Sequence, residues 1–140
     1  MVPVHVDSLV GAPTLEQTRD DFYAVVDSTA DLVGGEWENL DSASSRGCVI
    51  SFGLAGRTYS ALRLAPMANE QDTTAPGTTA VLRSVTASWT ELGYTVERTR
   101  IGPVVQLLAR NEANEQLIFR VSDRAMTLQG ESACRPAIGQ

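Results

Sequence analysis

The chain of 140 residues contains no lysine, one histidine and two cysteines. Acid–base and nucleophilic catalysis near neutral pH most often recruit histidine, whose pKa lies in that range. The single His5 falls in a segment, 1–13, that reads as a flexible tail closed by Gly11-Ala12-Pro13, where nothing fixes its geometry. A Ser-His-Asp or Cys-His arrangement is therefore not expected. Cys48 and Cys134 have neither C-x-x-C spacing nor histidine neighbours, which argues against a zinc site. Long apolar runs are also missing. A membrane span needs roughly 18 consecutive apolar residues, whereas stretches such as Val104-Val105 and Leu107-Leu108-Ala109 are interrupted and read as core strands.

All eleven basic residues are arginine, as a GC-rich genome would produce, and the net charge is −6. That balance speaks against nucleic-acid binding, which relies on basic patches that displace phosphate counterions. The charge is uneven: residues 1–45 hold nine acidic groups against Arg19 alone, and residues 46–140 hold eight acidic groups against ten arginines. An acidic helix face beside a mildly basic sheet accounts for this, with steering of a cationic partner as the lesser reading.

Thr14 reads as a helix N-cap, with Gln17 completing a capping box. Leu15, Thr18, Phe22, Val25, Val26, Thr29 and Val33 share one helical face, and Gly34-Gly35 ends the helix. Glu16, Asp20, Asp27 and Asp31 form a carboxylate stripe on another face. Trp37 is expected to tuck back from the polar connection 36–46 onto the core. From Gly47 to Leu64 the period becomes two: Cys48, Ile50, Phe52 and Leu54 are assigned to a buried face, and Ala55-Gly56 to a hairpin turn. A polar loop is expected over 65–76, and it is the segment expected to move most.

A second helix is expected over 78–92, with Val81, Leu82, Val85, Trp89 and Leu92 buried and Gly93 as its stop. Four strands follow, at about 94–100, 103–110, 116–122 and 125–131. The expected fold is thus a flexible tail over 1–13 and a single α+β domain over 14–140. Its order is α-β-β-α-β-β-β-β, with two helices packed on one face of an antiparallel sheet.

Little in the sequence points to chemistry. Gly130-Glu131-Ser132-Ala133-Cys134 lacks the second glycine, the following helix and the base of a nucleophile elbow. Gly53-Leu54-Ala55-Gly56 is no phosphate loop. The helical carboxylates cannot enclose calcium, and Glu36, Glu38 and Asp41 match no EF-hand spacing. No catalytic residue, metal or cofactor is expected. The candidate ligand or partner surface comprises two groups. Tyr23, Trp37 and Tyr59 are placed along one groove, and Arg98, Arg100, Arg110 and Arg120 on the open face of the sheet. Ordinary core packing and a solvated sheet face are the competing readings. Cys48 and Cys134 are either buried free thiols or a disulfide; two inward-facing cysteines on one small core favour the bond.

Four sequence features carry a family resemblance. Thr14-Leu15-Glu16-Gln17-Thr18 opens a helix, Trp37 precedes Cys48, Trp89-Thr90-Glu91-Leu92-Gly93-Tyr94 leads into strands, and Gly130-Glu131-Ser132-Ala133-Cys134 closes the chain. With these the sequence resembles the LppA-like small lipoproteins of actinobacteria. The resemblance implies a signal peptide removed in maturation, a lipid-modified cysteine and a domain facing the cell envelope. The start of this sequence, Met1 to Ser8, carries neither a signal peptide nor a lipobox, so a cytosolic interaction module such as an immunity or adaptor protein is the alternative. A third reading, a hydrolase working with carboxylates alone, needs two acidic groups converging in a cleft. The leading expectation is a non-enzymatic, extracytoplasmic domain that binds a protein or small ligand.

Overall fold

The capping box at Thr14 forms as the sequence predicts: its hydroxyl accepts from the Gln17 N–H at 3.0 Å, and the Gln17 side chain accepts from the Thr14 N–H at 2.9 Å. Helix α1 (Leu15–Val33) runs from this cap to Gly34, whose φ of 79° suits glycine. The computed structural model describes residues 13–50, 53–66 and 75–136, and of residues 75–78 the backbone alone. His5, the rest of the tail before Pro13, Phe52 and most of the 65–76 loop lie outside the described residues.

After α1 come β1 (Glu38–Asn39), β2 (Arg46–Ile50), β3 (Leu54–Thr58) and β4 (Ser60–Pro66). Helix α2 (Ala75–Glu91) then leads to β5 (Thr95–Ile101), β6 (Val104–Arg110), β7 (Gln116–Val121), β8 (Ala125–Glu131) and β9 (Arg135–Pro136). The class is α+β, as expected, with two helices against an antiparallel sheet. Six strands form the main sheet in the order β1-β4-β8-β7-β6-β5. Alternation puts Ala61, Ala65, Val105, Leu107, Leu117, Phe119, Val121, Met126 and Leu128 beneath the helices. There they join Phe22, Val26 and Ala30 of α1 and Leu82, Val85 and Trp89 of α2 in one core. Each fully buried valine, leucine or phenylalanine among them contributes roughly 1.5–3 kcal/mol. Trp89 is held by more than packing: its indole N–H donates to the Thr29 hydroxyl at 2.9 Å, which donates to the Val25 carbonyl at 2.8 Å.

Four expectations need correction. First, the sheet is not single: β2, β3 and β9 form a separate three-stranded sheet. The chain passes between the two sheets three times, and two of these crossings, β3 to β4 and β8 to β9, meet at the same place. The Thr58 hydroxyl donates to the Ser132 carbonyl at 2.7 Å. The Tyr59 N–H donates to the Ser132 hydroxyl at 2.8 Å, and the Ser132 N–H donates to the Tyr59 carbonyl at 2.8 Å. Strands that change sheets leave the ladder briefly, and these bonds satisfy the backbone groups exposed there.

Second, the hairpin does not turn at Ala55-Gly56. Ile50 pairs with Leu54 and Cys48 with Gly56, so both Ala55 and Gly56 sit inside β3. A Cβ on Gly56 would lie 2.8 Å from the Arg135 carbonyl oxygen and 2.8 Å from the Cys134 sulfur. The glycine therefore marks a close backbone approach rather than a bend.

Third, Leu54 and Leu92 are not buried; they are 56% and 52% exposed. Periodicity reports a shared face but not whether another element covers it. Fourth, α2 begins at Ala75, ahead of the expected 78, because proline in a first helical turn withholds an N–H that would have no helical partner anyway.

The cysteines do pair. Cys48 and Cys134 form a disulfide with Cα atoms 6.1 Å apart, closing a sequence separation of 86. Its setting differs from the expected core: both cysteines are half-buried, and Cys134 lies beyond β8, just before β9. The bond staples the small sheet across β2 and β9.

Candidate functional site

Strand β4 alternates Ala61, Arg63 and Ala65 toward the helices, so an arginine occupies a core-facing position between two small residues. Its side chain is 9% exposed. A charge so placed requires partners, since burial without them costs several kcal/mol. Asp41, from the β1–β2 connection, provides them from one side. Arg63 Nε donates to Asp41 Oδ1 at 3.0 Å and Nη2 to Asp41 Oδ2 at 2.6 Å. Asp27 of α1 accepts from Nη1 at 2.8 Å. Asp41 Oδ1 also accepts the Leu62 N–H at 2.8 Å, and the Asp41 N–H donates to Asn39 Oδ1 at 2.8 Å. The hydrogen bond to Asp41 raises the Arg63 pKa above its ordinary value, against the opposing effect of burial and with help from Asp27.

Around this arginine opens a cleft of about 410 Å³, lined by Arg19, Tyr23, Asp27, Asn39, Tyr59 and Arg63 among others. The rings of Tyr23 and Tyr59 meet edge to face with centroids 6.2 Å apart, and the Arg19 guanidinium lies 5.9 Å from the Tyr59 centroid. The Tyr23 hydroxyl donates to the Ser60 carbonyl at 2.7 Å. Burial, and then the charge of Asp41, raise the Tyr23 pKa. The cleft thus combines aromatic faces with fixed donors and acceptors. Asp27, 62% exposed, remains available to a ligand, while Asp41 is 13% exposed and committed to Arg63.

Of the sequence-predicted surface, the structure brings Tyr23 and Tyr59 together. Trp37 is not with them: its indole donates to the Gly34 carbonyl at 3.1 Å and its ring packs on the core from the end of α1. The four arginines do not share a face. Arg98 pairs in register with Leu107 and Arg100 with Val105, both beneath the helices, whereas Arg110 and Arg120 lie on the opposite face. The reason is register: β5 residues of even number sit opposite odd-numbered residues of β6. Arg120 is tied to Gln106 at 2.7 Å and Gln129 at 2.8 Å, and Arg110 to Gln116 at 2.9 Å, so both serve cross-strand pairing.

Arg63 was missed by sequence reasoning, and Asp27 and Asp41 were read only as parts of acidic groups. The available signal was the arginine flanked by Ala61 and Ala65 in strict alternation, which places a charge on the apolar face. Glu36 and Glu38 are exposed, and Asp41 turns inward to Arg63. Among the described residues no group of three or more histidine, cysteine or acidic side chains is placed to hold a metal. No described helix is long and apolar enough to cross a membrane.

No protein-family model matches the chain, and no curated protein matches it. Among solved structures, the crystal structure of a DUF4853 family protein from Actinomyces odontolyticus superposes with a TM-score of 0.56 at 14% identity. The chain is similar to that protein in fold. The match covers 83% of this chain and 63% of the other, so this chain spans less than two thirds of its structural neighbour.

Proposed function

We propose that the chain is a non-enzymatic, extracytoplasmic domain associated with the cell envelope, which binds a protein or small ligand in the Tyr23–Tyr59 cleft. The observation that carries the location is the Cys48–Cys134 disulfide, because such bonds persist in oxidising compartments and are rare in the cytosol. The LppA-like resemblance supports the same location. On this reading the native gene encodes an apolar signal segment and a lipobox cysteine ahead of Val2. The cleft supports binding rather than turnover, since its most buried carboxylate, Asp41, is occupied by Arg63 and the Leu62 N–H.

The test is the thiol state in the native cell. Acid quenching followed by alkylation and intact-mass measurement should give a protein that takes up no alkyl group at Cys48 or Cys134 until it is reduced. Two alkylated cysteines without reduction would remove the envelope reading and favour the cytosolic interaction module.

A further inference from the structure

Strand β5 forms one edge of the main sheet, and its seven residues are exposed except for Val96, which is half-buried. No strand pairs with its outer side among the described residues. An open edge of this length offers a row of backbone donors and acceptors to another chain. Beside it, between α2 and β5, lies a groove of about 410 Å³ with Leu82, Ala87, Val96 and Leu107 among its walls and Arg83 and Arg98 at its side. Arg100 follows Arg98 on the same face of β5.

Most arginines of the molecule are tied to partners. Arg19, Arg57, Arg63, Arg110, Arg120 and Arg135 all donate side-chain hydrogen bonds within the chain. Among the described residues the side chains of Arg83, Arg98, Arg100 and Arg124 have no hydrogen-bond or ion-pair partner, and the first three of these lie at this edge. Three unpaired cations beside an apolar groove and an open strand are complementary to an extended acidic segment.

A second copy of β5 fits poorly. Antiparallel pairing centred on Arg98 sets that residue against itself. Centring on Thr99 sets Arg98 against Arg100, and centring on Glu97 sets Glu97 against Glu97. Like charges directly opposite one another destabilise a strand pair. The edge is thus biased against its own kind and toward a partner of opposite sign.

We propose that β5 is a docking edge for an extended, acidic segment of a partner protein, which adds as a further strand, sets carboxylates against Arg98 and Arg100, and seats an apolar side chain in the α2–β5 groove. Strand addition uses the main-chain hydrogen bonds for affinity and alternate side chains for selectivity. The proposal concerns a surface separate from the Tyr23–Tyr59 cleft and holds in either cellular compartment.

The experiment titrates the whole chain with the capped peptide Val-Thr-Glu-Thr-Glu-Thr-Val, following backbone amide NMR signals up to about 1 mM peptide. Three comparisons accompany it: the peptide with lysine in place of glutamate, the glutamate peptide N-methylated at alternate amides, and the Arg98→Glu/Arg100→Glu variant. The expected result is a saturable shift confined to β5 and the facing side of α2. Affinity for the glutamate peptide should fall on the order of tenfold in the variant, which should instead prefer the lysine peptide. The N-methylated peptide should bind more weakly, because it cannot complete the ladder. Absence of saturable shifts, equal binding of the two charge forms, undiminished binding of the N-methylated peptide, or shifts centred elsewhere would each overturn the proposal. So would dimerisation through β5 measured by sedimentation, since the occupant would then be a second copy.

Discussion

Arg63 and Asp41 are 22 residues apart in sequence and meet side-on, with Nε and Nη2 both directed at the carboxylate and the shorter contact at 2.6 Å. The two-point geometry fixes the planes of both groups, which a single contact would not do. It anchors the connection between β1 and β2 against β4, and Asp27 extends the tie to α1.

Removing the two acidic partners should have unequal effects. Asp41→Ala leaves a buried guanidinium without its main counter-charge and is expected to cost about 3–5 kcal/mol. Asp27→Ala removes a carboxylate that is largely in water and should cost about 0–1 kcal/mol. Urea denaturation of both variants checks the ranking. Combining Asp41→Ala with Arg63→Met should restore part of the loss, since an apolar side chain tolerates that position beneath the helices.

Tyr94 gives the fold an alkaline limit. Burial first, and then the charge of Glu115, raise its pKa; the hydroxyl donates to Glu115 Oε1 at 3.2 Å. A folded-state pKa above the unfolded value of ~10 means that the folded chain holds this proton more firmly. The resulting stabilisation is complete below ~10 and is lost as pH rises toward the folded value. Melting temperatures measured from neutral pH to beyond about pH 10 should therefore fall more steeply for the native chain than for Tyr94→Phe. The variant starts lower at neutral pH, having lost the hydrogen bond, and its alkaline slope is shallower.

Gly130 is a packing requirement of β8 rather than a turn. A Cβ there would lie 2.7 Å from the Gln116 carbonyl oxygen, 3.0 Å from Leu117 Cδ2 and 3.1 Å from Phe22 Cε1. Gly130→Ala should destabilise by about 1–3 kcal/mol, because the closest atom is backbone and cannot rotate away. Gly47→Ala is the control: its nearest neighbour is Arg57 Nη1 at 3.8 Å, and the change is expected to stay within about 0.5 kcal/mol. Denaturant midpoints of the two variants give the comparison directly.

The sequence by itself determined the parts whose signals are local. The Thr14 cap, the Gly34 and Gly93 stops, the apolar stripe of α1 and the alternation of β6, β7 and β8 each follow from residues within one or two turns of one another, because capping, backbone freedom and side-chain period act over that range. The pairing of Cys48 with Cys134 was also legible, since few other roles were open to two isolated thiols in so small a chain. The tertiary structure alone decided which faces were covered. Leu54 has the alternation of a core residue, yet its strand lies in the small sheet and its side chain is left exposed there. The register of β5 against β6 turned Arg98 and Arg100 away from Arg110 and Arg120, and no property of the arginines themselves encodes that choice. Arg63 became the centre of a cleft only when α1 and the β1–β2 connection brought two carboxylates to it from distant positions. Charge pairing depends on separation in space, and sequence patterns report that separation only along a single element.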